Sequence, residues 1–160
     1  MVKSTMLAAV AALTMAAPLM PAHAADPAAI ARGKYLVAIA GCNDCHTPGY
    51  FLGKPDMARF LGGSEVGFDM PGLGVFHGPN LTPDKETGLG GWTPRNFVET
   101  IRNGRHQGRG RPLLPPMPWE VYSNLTDDDL ESVFAYLQSI PPVKNRVPQP
   151  LPPVLVTAAK

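Results

Sequence analysis

The stretch Gly41-Cys42-Asn43-Asp44-Cys45-His46 decides how this chain is read. It contains both of the protein's cysteines, spaced C-x-x-C and followed at once by a histidine. C-x-x-C-H is the attachment pattern of c-type haem. Two intervening residues set the separation of two thiols that add across the porphyrin vinyl groups. The histidine, whose neighbour is then already bonded to the ring, is held beneath the iron as proximal ligand. We therefore expect Cys42 and Cys45 to anchor one covalent haem c and His46 to ligate its iron.

Other uses of a cysteine pair fit less well. Structural zinc takes four ligands and usually a second closely spaced pair, whereas only His77 and His106 remain downstream, far apart from one another in sequence. A thioredoxin-like pair belongs at a strand-to-helix junction of a βαβ unit, and no such pattern is present. A disulfide across so short a loop suits an exported chain, but it leaves the adjacent histidine without a purpose.

The chain has 160 residues, enough for one domain with a tail. Residues 1–24 read as a cleaved secretory signal peptide, with Lys3, an apolar run from Met6 to Met20 and an A-x-A end at Ala22-His23-Ala24. A retained membrane anchor is the alternative, but the run is short for a mature spanning helix; no later segment is apolar enough, so no transmembrane segment is expected after it. Without Lys3 the 14 basic residues become 13 against 13 acidic ones. Nothing in so even a balance points to nucleic acid. Sixteen glycines and nineteen prolines are many for a packed domain, although 44% apolar residues is ordinary. Something other than regular structure has to complete the core.

Asp26-Pro27 reads as an acidic N-cap with proline in the first helical position. A helix is expected from Ala28 to Ala40, carrying Ile30, Leu36, Val37 and Ile39 and delivering its end to Cys42. Gly33 in its interior costs about 1 kcal/mol relative to alanine; it is either a point of close approach or a tolerated glycine. From Thr47 to Gly91 no period is sustained, and glycine and proline recur. A structureless stretch of that length counts against a compact domain unless a large flat ligand orders it. Phe51, Phe60, Phe68, Leu73, Val75 and Phe76 are expected to turn inward, the alternative for residues 50–74 being a partly mobile insertion. Thr93-Pro94 starts another helix, with Phe97, Val98 and Ile101 on one face and Gly104 as its stop. A basic loop, Arg105 to Arg111, contains His106 and Arg109. A short helical piece is expected through Tyr122. Thr126 caps the last helix, with Asp127, Asp128 and Asp129 where the helix dipole favours negative charge. Leu130, Val133, Phe134 and Leu137 follow at helical spacing, Tyr136 and Ile140 lie at the edge, and Pro141-Pro142 ends it. The remainder is proline-rich and extended, either engaging a partner or wrapping back over the domain.

A haem that only moves electrons keeps six ligands in both oxidation states, so a second axial ligand is needed. Met57 follows His46 with no helix between to carry the chain around, and Met70 sits in the unpatterned loop. Met117, stiffened by flanking prolines, is far enough along to reach the opposite haem face. His77 and His106 compete and would lower the potential that a thioether raises. A plain core methionine is the remaining reading.

With these residues in place, the chain resembles class I cytochromes c. More narrowly, Asn80-Leu81-Thr82-Pro83-Asp84, Thr87-Gly88-Leu89-Gly90, Met117-Pro118-Trp119 and Leu125-Thr126-Asp127 resemble the cytochrome domains of multi-haem subunits that serve bacterial alcohol, gluconate and aldehyde dehydrogenases. The resemblance covers nearly all of the chain after the leader. It implies an all-α cytochrome c fold of four to five helices around one haem over residues 25–142, with 143–160 as a proline-rich tail. It implies His46 and Met117 as axial ligands and Cys42 and Cys45 as thioether anchors. In Gly78-Pro79-Asn80-Leu81 it implies a cofactor-binding segment in which the Pro79 carbonyl accepts the proximal imidazole N–H and Asn80 stands beside it. It makes Trp92 a propionate donor, a core aromatic being the alternative, and Gly33 with Tyr136 the crossing contact of two helices.

Haem of this kind is attached outside the bacterial cytoplasm, which agrees with the leader and implies a periplasmic protein. Such subunits often hold three haem domains; a single C-x-x-C-H without internal repeat favours a small carrier or a companion subunit. The expected function is transfer of single electrons from a dehydrogenase to an oxidase or another cytochrome, with no substrate transformed. The haem edge near Cys45 and Met117 would be the docking face. Arg105, Arg109 and Arg111 either steer the partner or are solvated or hold a propionate. The alternative function is a peroxidase or gas sensor with an open distal position and His106 as distal residue.

Overall fold

The first and last helices of the described residues cross at a glycine, and this crossing is built from local signals at both ends. The computed structural model describes residues 26–153; the expected leader at 1–24 lies outside the described residues. Helix α1, Pro27–Ile39, is capped by Asp26, whose carboxylate accepts from the Ala28 N–H at 3.0 Å. Helix α5, Asp127–Ser139, is capped by the Thr126 hydroxyl, which accepts from the Asp129 N–H at 3.1 Å. At the crossing Gly33 is buried, and a Cβ there would overlap the Ser132 carbonyl and lie 2.8 Å from the Tyr136 Cβ. Gly33 is therefore a point of close approach, where the absent side chain lets two backbones meet.

Leu36 and Val37 of α1 join Leu130, Val133, Phe134 and Leu137 of α5 in the core. Helix α3, Pro94–Asn103, adds Phe97 and Ile101, with the Phe97 and Phe134 rings 5.5 Å apart. Its start is a reciprocal cap in which the Asn96 N–H donates to the Thr93 hydroxyl at 3.1 Å and the Thr93 N–H to the Asn96 carbonyl oxygen at 3.2 Å. It stops at Gly104, φ 63°, where a side chain would run into the Trp119 indole. The single turns α2, Cys42–His46, and α4, Trp119–Tyr122, complete five helices among the described residues.

The all-α expectation is corrected between α2 and α3. Strand β1, Gly67–Met70, pairs antiparallel with β2, Gly74–His77, placing Phe68 opposite Phe76. Strands of four residues are too short to leave a readable alternation among so many glycines. Of the residues expected to turn inward, Phe60 and Val75 are half-buried, and Phe68 and Phe76 line the cavity described below. Phe51 and Leu73 do not turn inward: they are 49% and 42% exposed. Phe51 lies in a 3-10 turn, Tyr50–Leu52, with its ring edge-on to Phe68 at 5.4 Å, so it packs on a neighbouring ring instead of the core. Leu73 falls in the connection between the two strands.

The proline-rich segment after α5 lies back across this loop region. The Val143 N–H donates to the Thr82 hydroxyl at 2.9 Å, the Asn145 amide to the Gly62 carbonyl at 2.9 Å, and Leu151 and Val75 exchange both backbone hydrogen bonds at 3.0 Å.

Candidate cofactor site

The site begins where α1 ends. Gly41 takes φ 65°, which breaks the helix and lets a new turn start at Cys42. In that turn Cys42, Cys45 and His46 stand at i, i+3 and i+4 and so share one face. His46 is buried, and its Nδ1 lies 2.7 Å from the Pro79 carbonyl oxygen. With Nδ1–H donating there, the Nε2 lone pair is left free. The loop reaches this position because residue 78 is glycine: a Cβ would overlap the Cys45 carbonyl.

A second layer holds the turn from behind. The buried Thr47 hydroxyl donates to the Asn43 side-chain oxygen at 3.0 Å and accepts from the Leu61 N–H at 3.0 Å. The His46 carbonyl accepts from the Gly63 N–H at 2.8 Å, and the Leu61 carbonyl from the Leu81 N–H at 2.9 Å. Leu61, fully buried, adopts φ 58°. That left-handed conformation costs about 1–2 kcal/mol for a residue with a side chain, and two hydrogen bonds and complete burial oppose the cost.

In front of His46 lies a cavity of about 270 Å³, far larger than the voids a packed core leaves. Cys42, Cys45, His46, Pro79, Asn80, Trp92 and Met117, all singled out from the sequence, line it. So do Leu36, Leu130 and Leu137 of the core, which makes most of the wall apolar. Met117 is half-buried and packs against the core cluster. Met57 is 61% exposed, and neither it nor Met70 reaches the cavity. The competing histidines His77 and His106 both line it; the buried Nδ1 of His77 has no hydrogen-bond partner among the described residues.

Asn80 contributes differently from its neighbours. Its amide nitrogen donates to the Thr87 hydroxyl at 3.0 Å and the Val143 carbonyl at 2.6 Å, and its carbonyl oxygen accepts from the Thr82 N–H at 2.9 Å and hydroxyl at 2.7 Å. Those four bonds use the full capacity of the side chain. Asn80 therefore binds the loop to the C-terminal segment, and its amide has no group left for a cofactor.

Burial sets the electrostatics. It holds the His46 imidazole below its ordinary value, against the raising effect of the Pro79 bond, and so favours the neutral ring that ligates metal. It also pushes the Cys42 thiol up to about 11 and the Cys45 thiol upward as well. Thiolates are disfavoured on such a wall, whereas neutral thioethers sit there without that penalty. Among the described residues no three of His, Cys, Asp and Glu are placed to hold one metal ion between them, so the donors for tetrahedral zinc are not assembled. Two thiols and a neutral imidazole on one wall of an apolar cavity, with a thioether also on its lining, fit a covalently held haem.

Three supporting residues escaped the sequence reading. Thr47 and Leu61 fix the turn that carries His46. Tyr122 lines the cavity and donates its hydroxyl to the Ala40 carbonyl at 2.6 Å, tying α4 to the end of α1. Their partners lie 14 and 82 residues away, beyond any local pattern.

The described helices include none long and apolar enough to cross a membrane. Residues 28–137 match the family model described as cytochrome C oxidase, cbb3-type, subunit III. The chain is 33% identical, over 84% of its length, to the cytochrome c subunit of alcohol dehydrogenase (quinone) from Gluconobacter oxydans (strain 621H), covering 27% of that protein. It is 35% identical, over 81% of its length, to the fructose dehydrogenase cytochrome subunit of Gluconobacter japonicus, covering 26% of it. With the gluconate 2-dehydrogenase cytochrome c subunit of Pantoea cypripedii the identity is 31% over 89% of the chain and 30% of the relative. The chain thus spans between a quarter and a third of the length of these relatives.

Proposed function

From the premise that this chain belongs to the c-type cytochrome family described as cytochrome C oxidase, cbb3-type, subunit III, we propose that it is a periplasmic single-haem electron carrier. It receives single electrons from a dehydrogenase and passes them to an oxidase or another cytochrome. One observation carries the reading: Cys42, Cys45, the buried imidazole of His46 and the thioether of Met117 line one largely apolar cavity. Haem c, when bound, supplies one-electron iron chemistry.

The chain's own residues hold and shield it. Cys42 and Cys45 would anchor it, His46 and Met117 would ligate its iron, and the Pro79 carbonyl fixes the ring orientation and tautomer of His46. Trp92 offers an indole N–H from the cavity wall. The rigid second layer of Thr47, Leu61 and Gly63 keeps the imidazole in one position through a change of oxidation state. The cytochrome subunits of alcohol, fructose and gluconate dehydrogenases among its relatives support a dehydrogenase as donor. The single C-x-x-C-H supports one haem, and the leader at residues 1–24 supports export.

The test is mass spectrometry of protein matured in a host competent for haem attachment. The peptide spanning Cys42 and Cys45 is expected to carry the added mass of one haem; a peptide with the mass of its amino acids alone would overturn the reading. The thioether-to-iron charge-transfer band of the ferric protein is expected in the near infrared, and to vanish in Met117→Ala. Its survival in that variant would remove Met117 from the ligand set.

A further inference from the structure

The segment that carries Met117 is held by its ends. Pro115, Pro116 and Pro118 are all exposed, and the Met117 N–H bonds only within the segment, to the Leu114 carbonyl at 3.3 Å. At the front end the Leu113 N–H donates to the carbonyl of Gly104, the stop of α3, at 2.7 Å. At the rear end stands α4, a single turn in which the Val121 and Tyr122 N–H groups both return to the Pro118 carbonyl, at 3.0 and 3.4 Å. One hydrogen-bonded turn therefore joins Met117 to Tyr122.

That turn aims its two rings at different helices. Glu120 and Val121 are exposed, whereas Trp119 and Tyr122 are half-buried. The Trp119 indole lies against Gly104, where a Cβ has no room. Tyr122 reaches the other way, to α1, where its hydroxyl donates to the Ala40 carbonyl at 2.6 Å; a carbonyl only accepts, so the direction of the bond is fixed. Ala40 is the C-cap of α1, and its carbonyl is one of the acceptors a helix end leaves open. No backbone N–H of the described residues donates to it. Two residues further on comes Cys42. The bond thus ties the start of the cysteine turn to the methionine segment, and Cys42, Met117 and Tyr122 line the same cavity.

We propose that Tyr122 is the positioning residue for the second axial ligand: its hydroxyl, latched to Ala40, holds Met117 in place against exchange for outside ligands. The inference rests on the function proposed above. Without the latch, the contact of Trp119 with Gly104 remains as a pivot, and the α4 end of the segment is free to swing about it. The thioether then spends part of its time withdrawn from the cavity. Apparent affinity for an outside ligand rises in proportion to the fraction of molecules in which that place is open.

The test is Tyr122→Phe, which keeps the ring and removes only the donor. Imidazole is titrated into the ferric, haem-loaded protein, and each reading is taken per haem, so a low yield of loaded variant does not blur it. Imidazole is expected to bind the variant about tenfold more tightly than the unaltered protein, equivalent to about 1.4 kcal/mol, with a weaker thioether-to-iron band and the same haem mass. Amide hydrogen exchange is expected to quicken over residues 117–123 and to stay unchanged in α5. Incorporation of p-aminophenylalanine in place of Tyr122 restores an N–H donor at the same point and should reverse all three effects. Gly33→Ala, which loosens the crossing of α1 and α5, is the control and should leave imidazole affinity as it is. Unaltered affinity in fully loaded Tyr122→Phe would overturn the inference, as would equal tightening in the glycine variant, since general loosening would then explain it. Either result leaves the carrier function intact. Absence of haem from the unaltered protein would instead sink the function.

Discussion

His46 is the residue on which the site turns, and its burial makes its chemistry sensitive to acid. An unfolded histidine titrates near pH 6.5, and burial holds His46 below that. Between the two values the unfolded chain binds the extra proton, so stability is present above the ordinary value and is lost as pH falls through it. In the proposed carrier, iron competing with a proton for Nε2 would act in the same direction. We expect the urea midpoint, followed by circular dichroism, to be lower at pH 5 than at pH 7.5. Asn80 is the other decisive residue at this scale. Asn80→Ala strips the Thr82 and Val143 groups of their buried partner, and each unsatisfied group costs about 1–3 kcal/mol. Urea unfolding should show a loss of at least that size, with the haem complement unchanged, since the amide is spent within the protein.

At the scale of elements, the crossing of α1 and α5 depends on a missing side chain. Alanine at position 33 would gain about 1 kcal/mol in helix propensity, but its Cβ overlaps the Ser132 carbonyl, which is backbone and cannot rotate away. The helices would have to separate along a face that carries Leu36, Val37, Leu130, Val133 and Leu137, and overpacking of this kind costs about 1–3 kcal/mol. Gly33→Ala should therefore lower the thermal midpoint despite the better propensity. Gly91→Ala, where a Cβ meets nothing within 4 Å, is the matched control and should change it little.

Taken whole, the molecule is closed by its C-terminal segment. Val143 and Asn145 satisfy groups of Asn80, Thr82, Thr87 and Gly62, and Leu151 continues the hairpin edge at Val75. These contacts join residues some sixty to eighty positions apart in sequence. A chain ending at Pro142 should be less stable by several of the about 1–3 kcal/mol penalties that unsatisfied buried groups incur, seen as a lower urea midpoint against the full chain. Intact stability after truncation would show that the segment lies on the domain without supporting it.

Local chemistry was enough to determine the helices and the chemistry of the motif. Asp26-Pro27, Thr93-Pro94 and Thr126 announce their helices because a cap is satisfied within three residues, and Cys42, Cys45 and His46 share a face because one helical turn puts them there. Only the tertiary structure decided the rest. The hairpin, the outward turn of Phe51 and Leu73, the hold of Thr47 on Leu61, the full engagement of Asn80 and the bond from Tyr122 to Ala40 all depend on contacts between distant segments. Short strands and glycine-rich loops carry no periodic signal, so their positions follow from which buried polar groups and which apolar walls they must satisfy once the helices have crossed.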